Sequence, residues 1–228
     1  MSPQRLRITY RSDAPTEQRG NFARLWVDAI EAAGLLAARA DGGRRAHVEF
    51  GPALPEGVSG NCELLDIWLD RPAEPAEVCA RLREALPPGL VPVDVEDIGE
   101  RLPSLATSVV AYRYRAVFAA GSVDGAALHA RTVWFSEQPS FEREELRGER
   151  LRVLDLKQII REVAATTIDG ALQVDMCLAV NQQQTARPAT VLDALELPAQ
   201  PVSLVRTAIE VLRPRVALAA WRERGRFA

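Results

Sequence analysis

The residues of this chain best suited to chemistry are basic. Arg19, Arg44, Arg45, Lys157, Arg187 and Arg206 are the candidate site residues, and the chemistry they could do is anion recognition. A guanidinium presents a planar fork of donors that fits a phosphate, the group through which most protein–RNA contacts are positioned. Lys157 is the only lysine among the 28 basic residues, so this chain meets anions almost wholly with arginine. The same bias fits the Ala-, Gly- and Pro-rich usage of a GC-rich genome. The loop Ala40–Arg45 carries Gly42 and Gly43, too little glycine for a phosphate cradle, and a solvated turn is the alternative reading.

Other chemistries lack their parts. His47 and His129 fall in different halves, and neither has a nearby carboxylate at the spacing of a nucleophile–base pair. Cys62, Cys79 and Cys177 lie far apart, without the paired spacings of a zinc or iron–sulfur site, and read as small buried hydrophobes. The sequence therefore predicts no catalytic residue, no metal and no cofactor. Asp94, Glu96 and Asp97 read as an exposed strand end. The net charge of −3 gives no bulk attraction for nucleic acid, so any anion site must be local. No apolar run approaches the roughly 20 residues of a bilayer span. Met1–Tyr10 has no signal-like apolar core, so the expectation is a cytoplasmic protein without a membrane partner.

The elements that would position these residues read twice in the same order. Leu6, Ile8 and Tyr10 alternate with Arg5, Arg7 and Thr9, which predicts a strand. Phe22, Leu25, Trp26, Ala29, Ile30 and Ala33 recur at helical spacing, and Gly34 stops the helix. His47–Phe50 and Glu63–Leu69 read as strands, Glu74–Leu86 as a helix and Val91–Ile98 as a strand. The second copy runs through Val109–Phe118, Asp124–Ser136, Arg152–Val163, Ala171–Val180, Thr190–Leu197 and Val202–Leu212. In it, Leu151–Val163 is read as one strand because the repeat asks for one, and Gln138–Glu149 as an exposed charged excursion. The expected fold is α+β: two tandem ferredoxin-like βαββαβ halves packed together. The expected boundaries are 1–103 and 104–212, with a basic tail over 213–228.

Several stretches, in this order, carry a family resemblance. They are Arg5–Tyr10, Ala33-Gly34-Leu35, Ala53–Val58, Glu63–Asp70, Leu86–Leu90 and Leu102–Leu105. Asp155-Leu156-Lys157, Arg187-Pro188 with Val191-Leu192, and Arg206-Thr207 follow. Over residues 5–212 the chain resembles the radical-SAM-linked family of bacterial proteins, a family of unknown function. Its members are free proteins or C-terminal extensions of radical-SAM enzymes. The chain departs from the family where a Phe-x-Ser-His-Leu-Asp pattern is usual: Arg19 stands for the histidine and Asn21 for the aspartate. In the next loop only Gly42 remains, and Lys157 stands where arginine is common.

The resemblance implies partnership with a radical-SAM enzyme, and with the absent nucleophile–base pair and the arginines as phosphate donors the expectation is a non-catalytic accessory or binding module with RNA as a candidate ligand. The alternatives are an RNA-modifying enzyme resembling pseudouridine synthases, with Asp155 as its aspartate, and a purely structural partner in a larger assembly.

Overall fold

The computed structural model describes residues 3–13, 21–39, 46–99, 102–147, 149–168, 170–180 and 186–212. The chain is mixed α+β, mostly sheet with several helices. It divides into two compact units. The first takes the chain up to Ala53, Gly60–Val109 and the residues from Val211 on; the second takes Leu54–Ser59 and Val110–Glu210.

The first unit holds β1 (Gln4–Ser12), α1 (Phe22–Ala32), β2 (Val48–Phe50), β3 (Ser59–Leu69), α2 (Pro75–Ala85), β4 (Leu90–Asp97) and α3 (Leu105–Ser108). Its strand order is β4-β1-β3-β2, with every neighbour antiparallel. The period-two pattern sends Leu6, Ile8 and Tyr10 to the face carrying the helices, where they meet Trp26 and Ile30 of α1 and Val78 and Leu82 of α2. Full burial of one such side chain contributes about 1.5–3 kcal/mol. Gly34, at φ +67°, takes the left-handed turn that ends α1.

The other face of the same sheet is polar and also buried. Arg7 lies opposite Asp66 across β1 and β3, and Arg5 lies opposite Trp68. Asp66 is fully buried, and Arg5 and Arg7 nearly so. Arg7 donates from Nε to Asp66 Oδ1 at 2.8 Å and from Nη2 to Oδ2 at 2.9 Å. Arg5 donates from Nε at 3.1 Å and from Nη2 at 2.7 Å, both to Asp66 Oδ2. Arg5 also reaches the carbonyls of Leu102 at 2.5 Å and Pro103 at 3.0 Å, and Glu49 lies 3.6 Å away. Arg5 sits 4.7 Å over the Trp68 ring, whose indole stacks on His47 at 3.8 Å.

The second unit holds β5 (Val109–Phe118), α4 (Gly125–Glu137), β6 (Glu142–Arg147), β7 (Arg150–Asp155), α5 (Leu156–Ile159), β8 (Ile160–Ile168), β9 (Ala171–Ala179), α6 (Pro188–Ala194) and β10 (Ser203–Val211). Its strand order is β10-β5-β9-β8, and β6 and β7 form a separate two-stranded ribbon. Tyr112, Tyr114, Ala116 and Phe118 of β5 face inward with Leu128 and Phe135 of α4 and Val174, Met176 and Leu178 of β9.

Four readings change. The charged run 138–149 contains a strand, β6, paired to β7. The apolar run 151–163 is two strands separated by the single turn α5, so Lys157 is helical. The connection 99–108 contains α3, capped by the Ser104 hydroxyl. β3 begins at Ser59, ahead of the expected Glu63. The basic tail, Arg213–Ala228, lies outside the described residues.

Asp66→Ala should cost about 3–5 kcal/mol, because it leaves the buried Arg7 guanidinium uncompensated and removes the nearest carboxylate from buried Arg5. Asp175→Ala should cost less than about 1 kcal/mol, since its ion pair with Arg115 is exposed. Urea midpoints of the two variants check this, and equal losses would refute the distinction.

Candidate functional site: a cation–aromatic cluster

Asp124 starts α4 by accepting from the Ala126 N–H at 3.0 Å. Helical spacing then turns Leu128, Thr132 and Phe135 inward and sets Arg131 beside Trp134 near the surface. The Arg131 guanidinium lies 4.0 Å over the Trp134 ring. Trp134 meets Phe141 edge-on at 5.8 Å, and Phe141 packs on Phe135 at 4.9 Å. Arg143 covers Phe141 at 4.7 Å. Two cation–π contacts thus flank an aromatic row, and Trp134 keeps 38% of its surface exposed.

The cluster is held by charge. Glu196 accepts from Arg131 and, at 3.5 Å, from Arg143. Glu196 follows α6 with φ +53°, a left-handed conformation that a side chain disfavours by roughly 1–2 kcal/mol. Its carboxylate lies between the two guanidinium groups, which leaves the cluster with one net positive charge.

Asp155 and Lys157 hold it from below. Asp155 accepts from the Phe141 N–H at 2.9 Å, the Lys157 N–H at 3.1 Å and Gln158 Nε2 at 3.2 Å. The Phe141 amide, and then the other donors, hold its carboxyl below the usual carboxylate range. Lys157 Nζ donates to the carbonyls of Ser136 at 2.7 Å and Phe135 at 3.3 Å, closing the last turn of α4, and sits 5.4 Å over the Phe135 ring. Asp155, the aspartate considered for an RNA-modifying reaction, has its oxygens committed to capping.

Arg19, Arg44 and Arg45 lie outside the described residues. Arg187 is exposed, one residue ahead of α6. Arg206 is only 1% exposed and stacks 5.1 Å from the Tyr112 ring, so it is shielded from the solvent where a phosphate would arrive. Arg131, Trp134, Phe141 and Arg143 were not singled out in the sequence. Their signal was arginine interleaved with aromatics on both sides of Gln138–Ser140, and it was masked by reading that run as a solvated loop.

A second charged surface lies on the sheet of this unit. Arg113 pairs with Glu210 at 2.6 Å and Glu162 at 2.9 Å, Arg161 with Glu210 at 3.4 Å, and Arg115 with Asp175 at 2.8 Å. The Arg113 hydrogen bonds hold Glu162 below its ordinary range. Every guanidinium here already has a carboxylate. The thiols of Cys62 and Cys177 are pushed up, chiefly by burial. Among the described residues no three His, Cys, Asp or Glu side chains gather as a metal would need, and no helix is long and apolar enough to cross a membrane.

Asp155→Ala should lower the thermal midpoint at neutral pH, by about 1 kcal/mol of capping. Because the folded carboxyl titrates below its unfolded value, this stabilisation is full above the ordinary carboxylate range and is lost as pH falls through the depressed value. Melting curves of both proteins from neutral to acidic pH should therefore converge at low pH. A gap independent of pH would contradict the assignment.

One similar solved structure is titled "Crystal Structure of a Cbf5-Nop10-Gar1 Complex", at 13% identity and TM-score 0.46, covering 90% of this chain and 48% of that one. Another is "X-ray crystal structure of a heavy metal efflux pump, crystal form II", at 13% identity and TM-score 0.24, covering 96% of this chain and 29% of that one. The chain thus spans less than half the length of either, and neither likeness assigns it a function. No curated protein matches. The family described as "Uncharacterized protein conserved in bacteria (DUF2344)" matches residues 24–188, and the chain belongs to it.

Proposed function

We propose that this protein is a non-catalytic binding module that serves a radical-SAM enzyme in the cytoplasm and contacts single-stranded RNA through the cation–aromatic cluster. Each unit is a ferredoxin-like half. The strand orders β4-β1-β3-β2 and β10-β5-β9-β8 support that reading, since both follow the order expected of a βαββαβ unit. The order of the family motifs supports the radical-SAM partner. The observation that carries RNA is the exposed Trp134, flanked by Arg131 and backed by Phe141 and Arg143. An aromatic ring stacks any base, and adjacent guanidinium groups follow the backbone phosphates. Exposed Arg187, in the same unit, adds a further phosphate donor.

The test is fluorescence anisotropy with a labelled single-stranded RNA of mixed sequence, read across a salt series. Trp134→Ala should weaken binding roughly five- to hundredfold, the value of one stacked base. Arg131→Ala and Arg143→Ala should each flatten the salt dependence by about 0.7 log units. No binding by the wild-type protein at low salt, or unchanged affinity in Trp134→Ala, would refute the RNA reading. Capture of the native protein from its own cells tests the enzyme partner separately.

A further inference from the structure

We infer that β8 is a pairing edge, and that its occupant is β8 of a second copy of this chain. β8 ends the strand order of its unit. One side pairs with β9 from Ile160 to Ile168, with one register break between Ile160 and Glu162 and a regular ladder beyond it. The other side has no partner among the described residues, so alternate backbone N–H and C=O groups face outward unpaired.

β4 and β8, which each end the strand order of their unit, are treated differently. β4 ends the order of the first unit and is blunted in four ways. It contains Pro92, its register with β1 breaks between Thr9 and Tyr10, it exposes Asp94, Glu96 and Asp97, and Arg83 Nη2 donates to the Pro92 carbonyl at 3.2 Å. These are the devices that keep an edge from recruiting another strand. β8 has none over its last six residues. Val163-Ala164-Ala165-Thr166-Thr167-Ile168 carries no charge, proline or glycine, the composition that favours strand-to-strand pairing. Ile168 is 50% exposed. The helix that packs on β8, α4, also leaves Ala126, Ala130 and Val133 exposed.

Self-complementarity of the strand selects a second copy. Ala164 is the midpoint of Ile160–Ile168. An antiparallel pair about a two-fold axis at Ala164 sets Val163 opposite Ala165 and Glu162 opposite Thr166, all within the regular part of the strand. No like charges meet, and small residues lie at the centre where the strands approach. Arg161 and Glu162 keep their partners Glu210 and Arg113.

The experiment is sedimentation equilibrium of the full chain over micromolar to millimolar concentrations. The wild-type protein should dimerise. Ala164→Lys and Ala164→Glu each oppose like charges at the axis and should weaken the dimer about fivefold or more, without shifting the thermal midpoint, since Ala164 is exposed. Mixing the two variants should restore association as a heterodimer. Thr166→Lys meets Glu162 of the second copy and should tighten the dimer, whereas Thr166→Glu should weaken it. A wild-type protein that stays monomeric, as it would if β8 receives a strand from another protein, overturns the proposal. So does a dimer that ignores the sign of the charge at residues 164 and 166.

Discussion

A carboxylate with no exposure, Asp66, sets the terms for the first unit. A charge taken out of water is tolerable only when its lone pairs are filled, and four guanidinium hydrogen bonds fill these. Two arginines bring more positive charge than Asp66 offsets, and Glu49 brings the balance. The remaining donors of Arg5 then need acceptors, and they find the carbonyls of Leu102 and Pro103, nearly one hundred residues away in sequence. The chain leaving β4 is thereby tied to the polar sheet face before Ser104 caps α3 and β5 begins. Such a network contributes specificity of path more than net stability, because apolar residues of similar volume would stabilise as well without choosing one route.

In the second unit the equivalent labour falls to a single turn. α5 is four residues long, too short to hold itself. Asp155 caps it and, with the same carboxylate, fixes the Phe141 amide; Lys157, on that turn, closes the end of α4. Two residues therefore join the strand ribbon, the helix and the sheet where Trp134 and Phe141 meet. The strained backbone at Glu196 is a further cost accepted at this one place. Strain of this kind persists where surrounding contacts over-determine it, and it concentrates at sites that do something.

The regular elements were legible because their burial is periodic. Leu6, Ile8 and Tyr10 against Arg5, Arg7 and Thr9 can only be a half-apolar strand, and Trp26 with Ile30 can only face inward on a helix. The fate of the arginines was not legible. Arg5, Arg7 and Arg206 alternate as solvent-facing residues do, yet all three are buried, because their partners come from distant strands and loops. β6 escaped notice for the opposite reason. Glu142, Arg143, Glu144 and Glu145 show no apolar alternation, and only the ladder to β7 makes them a strand. The cluster around Trp134 needed both that ribbon and the turn α5, so it could not be assembled from local pattern.

The two units carry the same pair in different surroundings. Arg7 faces Asp66 across β1 and β3; Arg115 faces Asp175 across β5 and β9. Each pairs the first strand of a unit with the strand hydrogen-bonded beside it, and each lies on the face away from the apolar core. The side chains of Arg7 and Asp66 are 9% and 0% exposed, those of Arg115 and Asp175 45% and 40%. In the first unit the pair is dry, its geometry is fixed, and its donors serve the interior. In the second it is wet, screened and of little energetic weight, so those side chains can exchange partners at small cost. One face has therefore become scaffold while its counterpart has stayed surface.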